Sequence, residues 1–231
     1  MNYWAQENIL GPFYFGEGAM KLITIMGIVG CLGLAYFLPH RIAGADTLTV
    51  ARFRLDPAQS KFMVHANRTG LAWFKGHSHR IAAKDFSGVA ELNLDALNPA
   101  SLQMTVRAAS LEETDPVFTP EQKKIINKEL NEIVLETAKF PEITFRSTQV
   151  TGSPAQGKFN VRITGDLTLH GVTKRETIPA TVTVSGDTLR ATGEFSMDRK
   201  DFNVNATEAF HGFVRVKHDL KFVFDIVGRR E

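Results

Sequence analysis

The sequence predicts a mainly β domain of about eight antiparallel strands, built as a sandwich or a closed barrel, with one helical insertion. Three observations carry this. From Leu48 onward apolar and polar residues alternate with period two, the pattern of a sheet with one wet and one covered face. Clusters of Gly, Pro and Asp interrupt that alternation at the spacing of short strands. One stretch alone, residues 119–137, changes to helical spacing.

The elements follow in chain order. In "FRLDPAQSKFMVHA" parity places Phe62 and Val64 on the inner face. In "GLAWFKGHSHRI" Leu71, Trp73, Lys75, His77, His79 and Ile81 share one side, read as inward. The helix comes next: "TPEQKKIINKELNEIVLET" sets Ile125, Ile126, Leu130, Ile133 and Val134 at helical spacing. Thr119 can cap it, Pro120 suits the first helical position and Gln122 completes a capping box. Pro141 forces the chain extended beyond it.

Four further strands close the sequence. "KFNVRITGDLTLHG" turns Phe159, Val161, Ile163, Leu167 and Leu169 inward, with His170 in a solvent-facing turn. Ile178, Ala180, Val182 and Val184 continue the scheme, then Leu189, Ala191, Phe195 and Met197. In the last strand Val214, Val216, His218, Leu220, Phe222, Phe224 and Ile226 share the inner face. "RKDFN" at 199–203 reads as a turn whose charges stay wet.

The N-terminus is a different object. Lys21 precedes a 17-residue uncharged run, 22–38, and Ala43-Gly44-Ala45 supplies the small residues of a signal-peptidase site. Residues 1–45 are therefore expected to be an export segment with translation starting at Met20, cleaved after Ala45, and residues 46–231 the single domain. The run is also long enough to stay as a membrane anchor. "IVGC" resembles a lipoprotein box, but the apolar run continues past Cys31 to Leu38. Cys31 is the only cysteine, so the domain has neither disulfides nor thiolate zinc sites.

Composition narrows the function. A net charge of +2 with no Lys/Arg run longer than two residues argues against nucleic-acid binding. There is no His-Glu-x-x-His motif and no Gly-x-Ser-x-Gly elbow, so enzyme activity is not expected. Seventeen Phe against two Trp and three Tyr is an excess of purely apolar rings, which fill a core or line an apolar cavity. An inward His77, His79 and His218 would make a metal triad with an open fourth position. A buried histidine more often hydrogen-bonds a polar neighbour, so its favoured role is polarity beside a ligand.

Four segments, "FRLDPAQSKFMVHA", "KFPEITFRSTQV", "GDLTLHGVTK" and "RKDFNV", stand in the order seen in YceI-like proteins, and the chain resembles that family over about residues 50–227. "GHSHRI" departs from the family pattern, which has an apolar or aromatic residue followed by Lys or Asp there. The resemblance implies a lipocalin-like antiparallel barrel, exported to the periplasm, that encloses a polyisoprenoid or quinone-like lipid without catalysis. The expected lipid-binding residues are Phe62, Val64, Trp73, His77, His79, Phe159, Phe195, His218, Phe222 and Phe224. No cofactor or metal is expected beside the lipid. The expected partners are that lipid, the inner membrane through the N-terminal segment, and a second copy of the chain as a candidate homodimer. Two alternatives stand beside this reading: a periplasmic metal-binding protein using the histidines, and a fully packed barrel acting as an interaction module.

Overall fold

The computed structural model describes residues 50–69, 77–155, 158–205 and 215–231, all within the unit Asp46–Glu231. Expectations for the export segment, Trp73 and the first part of its strand lie outside the described residues.

The strands are β1 (Val50–Thr69), β2 (His79–Ala83), β3 (Phe86–Asn93), β4 (Leu97–Arg107), β5 (Leu111–Glu113), β6 (Glu142–Ala155), β7 (Lys158–Leu169), β8 (Val172–Ser185), β9 (Thr188–Asp198) and β10 (Arg215–Arg230). Every pairing between them is antiparallel. β2 and β3 lie along the same edge of β1, with only Lys84 and Asp85 between them. β4 and β5 follow them as a second kinked strand across the three-residue turn Ala108–Ser110. The ten segments thus make eight walls, and β10 pairs back onto β1 to close them. The closed barrel is the outcome.

Ser110 holds both kinks. Its buried Oγ lies 2.7 Å from the Arg107 carbonyl and 3.1 Å from that of Asp85, and accepts from the Asp85 N–H at 3.1 Å.

The alternation is not uniform along a strand. In β1 the residues 57–60 bulge out of register, and Asp56 and Ser60 side chains satisfy the freed backbone groups. Inward parity flips across the bulge, from Phe53 and Leu55 to Phe62 and Val64. β6 flips in the same way at Thr148, from Phe145 to Val150. The outer face carries cross-strand pairs such as Arg175 with Asp166 and Lys221 with Glu194, so the polar half of the pattern is the wet one.

The two ends of the barrel differ. Where β1 begins and β10 ends, Ala51, Phe53, Leu92, Leu97, Phe159, Val182 and Leu189 form a packed plug, with Phe53 fully buried. At the other end sits α1 (Pro120–Glu129), which continues through one wider turn, Leu130–Val134. Its capping box is formed: Thr119 Oγ1 accepts from Gln122 N–H, and Gln122 Oε1 accepts from Thr119 N–H. The expected single apolar face divides. Ile126, Leu130 and Val134 turn toward the barrel interior, whereas Ile125 and Ile133 are exposed.

Candidate functional site: an apolar cavity with a polar end

Between the plug and α1 the barrel encloses a cavity of about 800 Å³. That volume falls within the roughly 300–1,000 Å³ of pockets that enclose a small ligand. The wall is aliphatic and aromatic, with contributions from β1 through β10. Phe62 and Val64 come from β1, Leu102 and Met104 from β4, Ile163 and Leu167 from β7, and Phe222, Phe224 and Ile226 from β10.

The aromatic part of the wall is built across strands. Phe195 and Phe222 are directly paired and stack with centroids 4.7 Å apart and planes 11° from parallel. Phe62 and Phe224 flank them at 6.3 Å and 6.4 Å in tilted contacts. Phe224 lies across Gly193, its paired residue: a Cβ there would stand 2.6 Å from the Phe224 Cζ. Glycine at 193 is thus what lets the ring lie flat against the wall.

His77, His79 and Glu129 make the α1 end of the cavity polar, while Glu91 and Ser101 line it nearer the plug. Exposed lining residues His77 and Glu129 mark where the cavity meets solvent. His79 also lines it, with its side chain 27% exposed. Behind His79 is Glu113, whose carboxylate is fully buried. The short strand β5 sets Glu113 opposite Ile81, on the inner face and diagonal to His79. Its Oε2 lies 2.7 Å from His79 Nδ1, while its Oε1 accepts from the N–H groups of Asp115 and Arg80 at 2.7 Å and 3.2 Å. Burial pushes the Glu113 carboxyl up; the hydrogen bonds from His79 and from the two backbone N–H groups outweigh it and leave it below the ordinary carboxyl value. Phe118 closes the arrangement, stacked on His79 at 5.3 Å and meeting His77 edge-on at 5.4 Å. Asn127 of α1 docks the helix here by accepting the Glu113 N–H at 2.7 Å.

This barrel, with one helix at one end, can now be set beside known proteins. The YceI-like domain matches residues 53–227. The chain belongs to the YceI-like family. It is 30% identical to the YceI protein of Escherichia coli O6:H1 over 172 residues, covering 69% of this chain and 80% of that protein. A UPF0312 protein of Pseudomonas fluorescens is 37% identical over 132 residues, which is 52% of this chain and 61% of that protein. Among solved structures, BcnA of Burkholderia cenocepacia superposes with a TM-score of 0.60 at 24% identity, covering 75% of this chain and 98% of that one. A polyisoprenoid binding domain from Saccharophagus degradans gives 0.58 at 13% identity, covering 79% of this chain and all of that one (100%). These likenesses extend to the fold.

Within this YceI-like barrel the residues singled out from the sequence fall into four groups. Phe62, Val64, His77, His79, Phe195, Phe222 and Phe224 line the cavity. Phe159 does not: it faces inward but sits in the plug, because parity fixes a side chain's face and not its depth along the barrel. His218 is corrected outright. It is exposed, since residues 217–219 bulge opposite the single residue Asn67 and throw it out between the inward Val216 and Leu220. Trp73 lies outside the described residues.

The histidine triad loses its third member with His218, and among the described residues no group of three or more His, Cys, Asp or Glu is placed to hold a metal ion. Two other expectations change. His170 is not solvent-facing: only 10% of its side chain is exposed, its Nε2 lies 2.8 Å from Glu136 Oε2, and Phe140 packs on it at 4.3 Å. Arg199 is buried rather than wet, and its guanidinium donates to backbone carbonyls, that of Val204 at 2.6 Å among them. Glu113 and Phe118 were not foreseen. The available signal was "LEE", where Leu111 and Glu113 share an inward face and leave a carboxylate on the covered side.

Proposed function

We propose that this protein is an exported, non-catalytic carrier that encloses an isoprenoid or quinone-like lipid in its barrel and holds it in the periplasm. The observation that carries the reading is the cavity: about 800 Å³, walled mainly by aliphatic and aromatic side chains, with His77, His79 and Glu129 at its α1 end. A prenyl chain placed there gains roughly 0.8 kcal/mol for each buried CH₂ and needs almost no polar contact along its length. The description of the Saccharophagus degradans neighbour as a polyisoprenoid binding domain supports the same ligand class. The export pattern around Met20–Ala45 supports the compartment, and the Glu113–His79 pair, tied up in a structural hydrogen bond, supports binding over chemistry.

Native mass spectrometry of the protein as recovered from the periplasm tests this. An organic-extractable adduct of several hundred daltons is the expected result. A bare mass, or a metal-sized adduct lost on substitution of His77 and His79, would overturn it. The N-terminal residue of the same sample, expected to be Asp46, tests export with cleavage after Ala45.

A further inference from the structure

We propose that the polar end of the cavity selects a lipid whose head group carries a hydroxyl, a prenyl alcohol or a hydroquinone, over the matching ether or carbonyl, and that Nε2 of His79 makes the selection. This rests on the lipid reading above and assigns the head-group chemistry within it.

Glu113 fixes which ring nitrogen of His79 carries the proton. Both of its oxygens are committed as acceptors: Oε1 to the N–H groups of Asp115 and Arg80, Oε2 to His79 Nδ1. A carboxylate in that setting has no proton to give, so Nδ1 of His79 must carry one. The other ring nitrogen, Nε2, has no hydrogen-bond partner among the described residues, and the ring lines the cavity. In the neutral ring Nε2 is a pure acceptor. A lipid that fills the cavity covers this nitrogen and removes its water. A hydroxyl then donates to it, whereas an ether or carbonyl oxygen sets lone pair against lone pair. Were the ring cationic, a hydroxyl could still accept from Nε2–H, so it is the one head group satisfied in either state. The stacked Phe118 keeps the ring in plane for this contact.

Glu113→Gln supplies a test that a merely structural role would not meet. The two backbone N–H groups require an oxygen at the Oε1 position, so the amide nitrogen must face His79 Nδ1. Nδ1 then has to accept, the ring proton moves to Nε2, and the site becomes a donor that takes ether or carbonyl as readily as hydroxyl.

The experiment is a competition for the delipidated full chain near pH ~8.5, where an imidazole side chain is ordinarily neutral. Geranylgeraniol competes against its methyl ether in one arm and a short-chain ubiquinol against its ubiquinone, under anaerobic conditions with no added reductant, in the other. The bound lipids are extracted and quantified. Enrichment of the hydroxyl form by roughly three- to ten-fold is expected, the worth of one net hydrogen bond. The arm with the larger ratio tells a prenol carrier from a quinol carrier. His79→Phe and Glu113→Gln should each bring the ratio close to one, whatever the total amount of lipid bound. Equal binding in the unaltered protein, or a ratio kept in Glu113→Gln, would overturn the inference and leave the lipid reading intact. Failure of every lipid to bind would overturn both.

Discussion

Glu113 is a buried carboxylate held ionised by three donors, and that arrangement has a pH signature. Its folded carboxyl lies below the ordinary value of 4.5. Between that value and the lower folded one, the unfolded chain binds a proton that the folded chain does not. The stability Glu113 contributes is therefore whole above about pH 4.5 and is lost as pH falls through the folded value. Urea midpoints measured from near-neutral pH into the acid range should fall more steeply for the native protein than for Glu113→Gln. Parallel curves would show that the carboxylate contributes nothing in that window. Asp225, lowered by its Arg190 partner, titrates in both proteins and cancels in the difference.

At the scale of the element, the structure depends on how strands are broken and how the helix begins. Ser110 Oγ bonds the Asp85 N–H at one kink and the Arg107 carbonyl at the other. Ser110→Ala removes it from a buried position and is expected to cost about 1–3 kcal/mol, read as a lower urea midpoint with unchanged slope. Thr119→Ala removes the cap of α1 and should cost roughly 1 kcal/mol, seen first as faster amide exchange in residues 120–129 rather than as global unfolding. The helix was legible because its cap signals are local. Inward Phe195, Phe222 and Phe224 were legible because their strands run unbroken between them. His218 was not, since a bulge is set by how many residues face it on the neighbouring strand, which no single strand records. The pairing of Glu113 with His79 joins residues 34 apart through β2 and β5, and local periodicity is blind to it.

The whole barrel divides into a plug that is full and a chamber that is not, and this sets how it should respond to truncation. Phe53 is completely buried among close-packed neighbours, so Phe53→Ala opens a new void and should cost about 3–5 kcal/mol in the delipidated protein. Phe195 already faces the cavity on one side. Phe195→Ala enlarges an existing space, loses contacts only with the wall, and forfeits the smaller part of that sum. Lipid reverses the order. A ligand bound in the cavity would stabilise the fold by mass action in proportion to its affinity, and the Phe195–Phe222 stack is part of the wall it would be expected to meet. Phe195→Ala should therefore lose most of the thermal shift that added lipid produces, while Phe53→Ala, although less stable at the outset, keeps it. Equal costs for the two substitutions without lipid would mean that the chamber closes on itself when empty, and a ligand would then have to open the wall to enter.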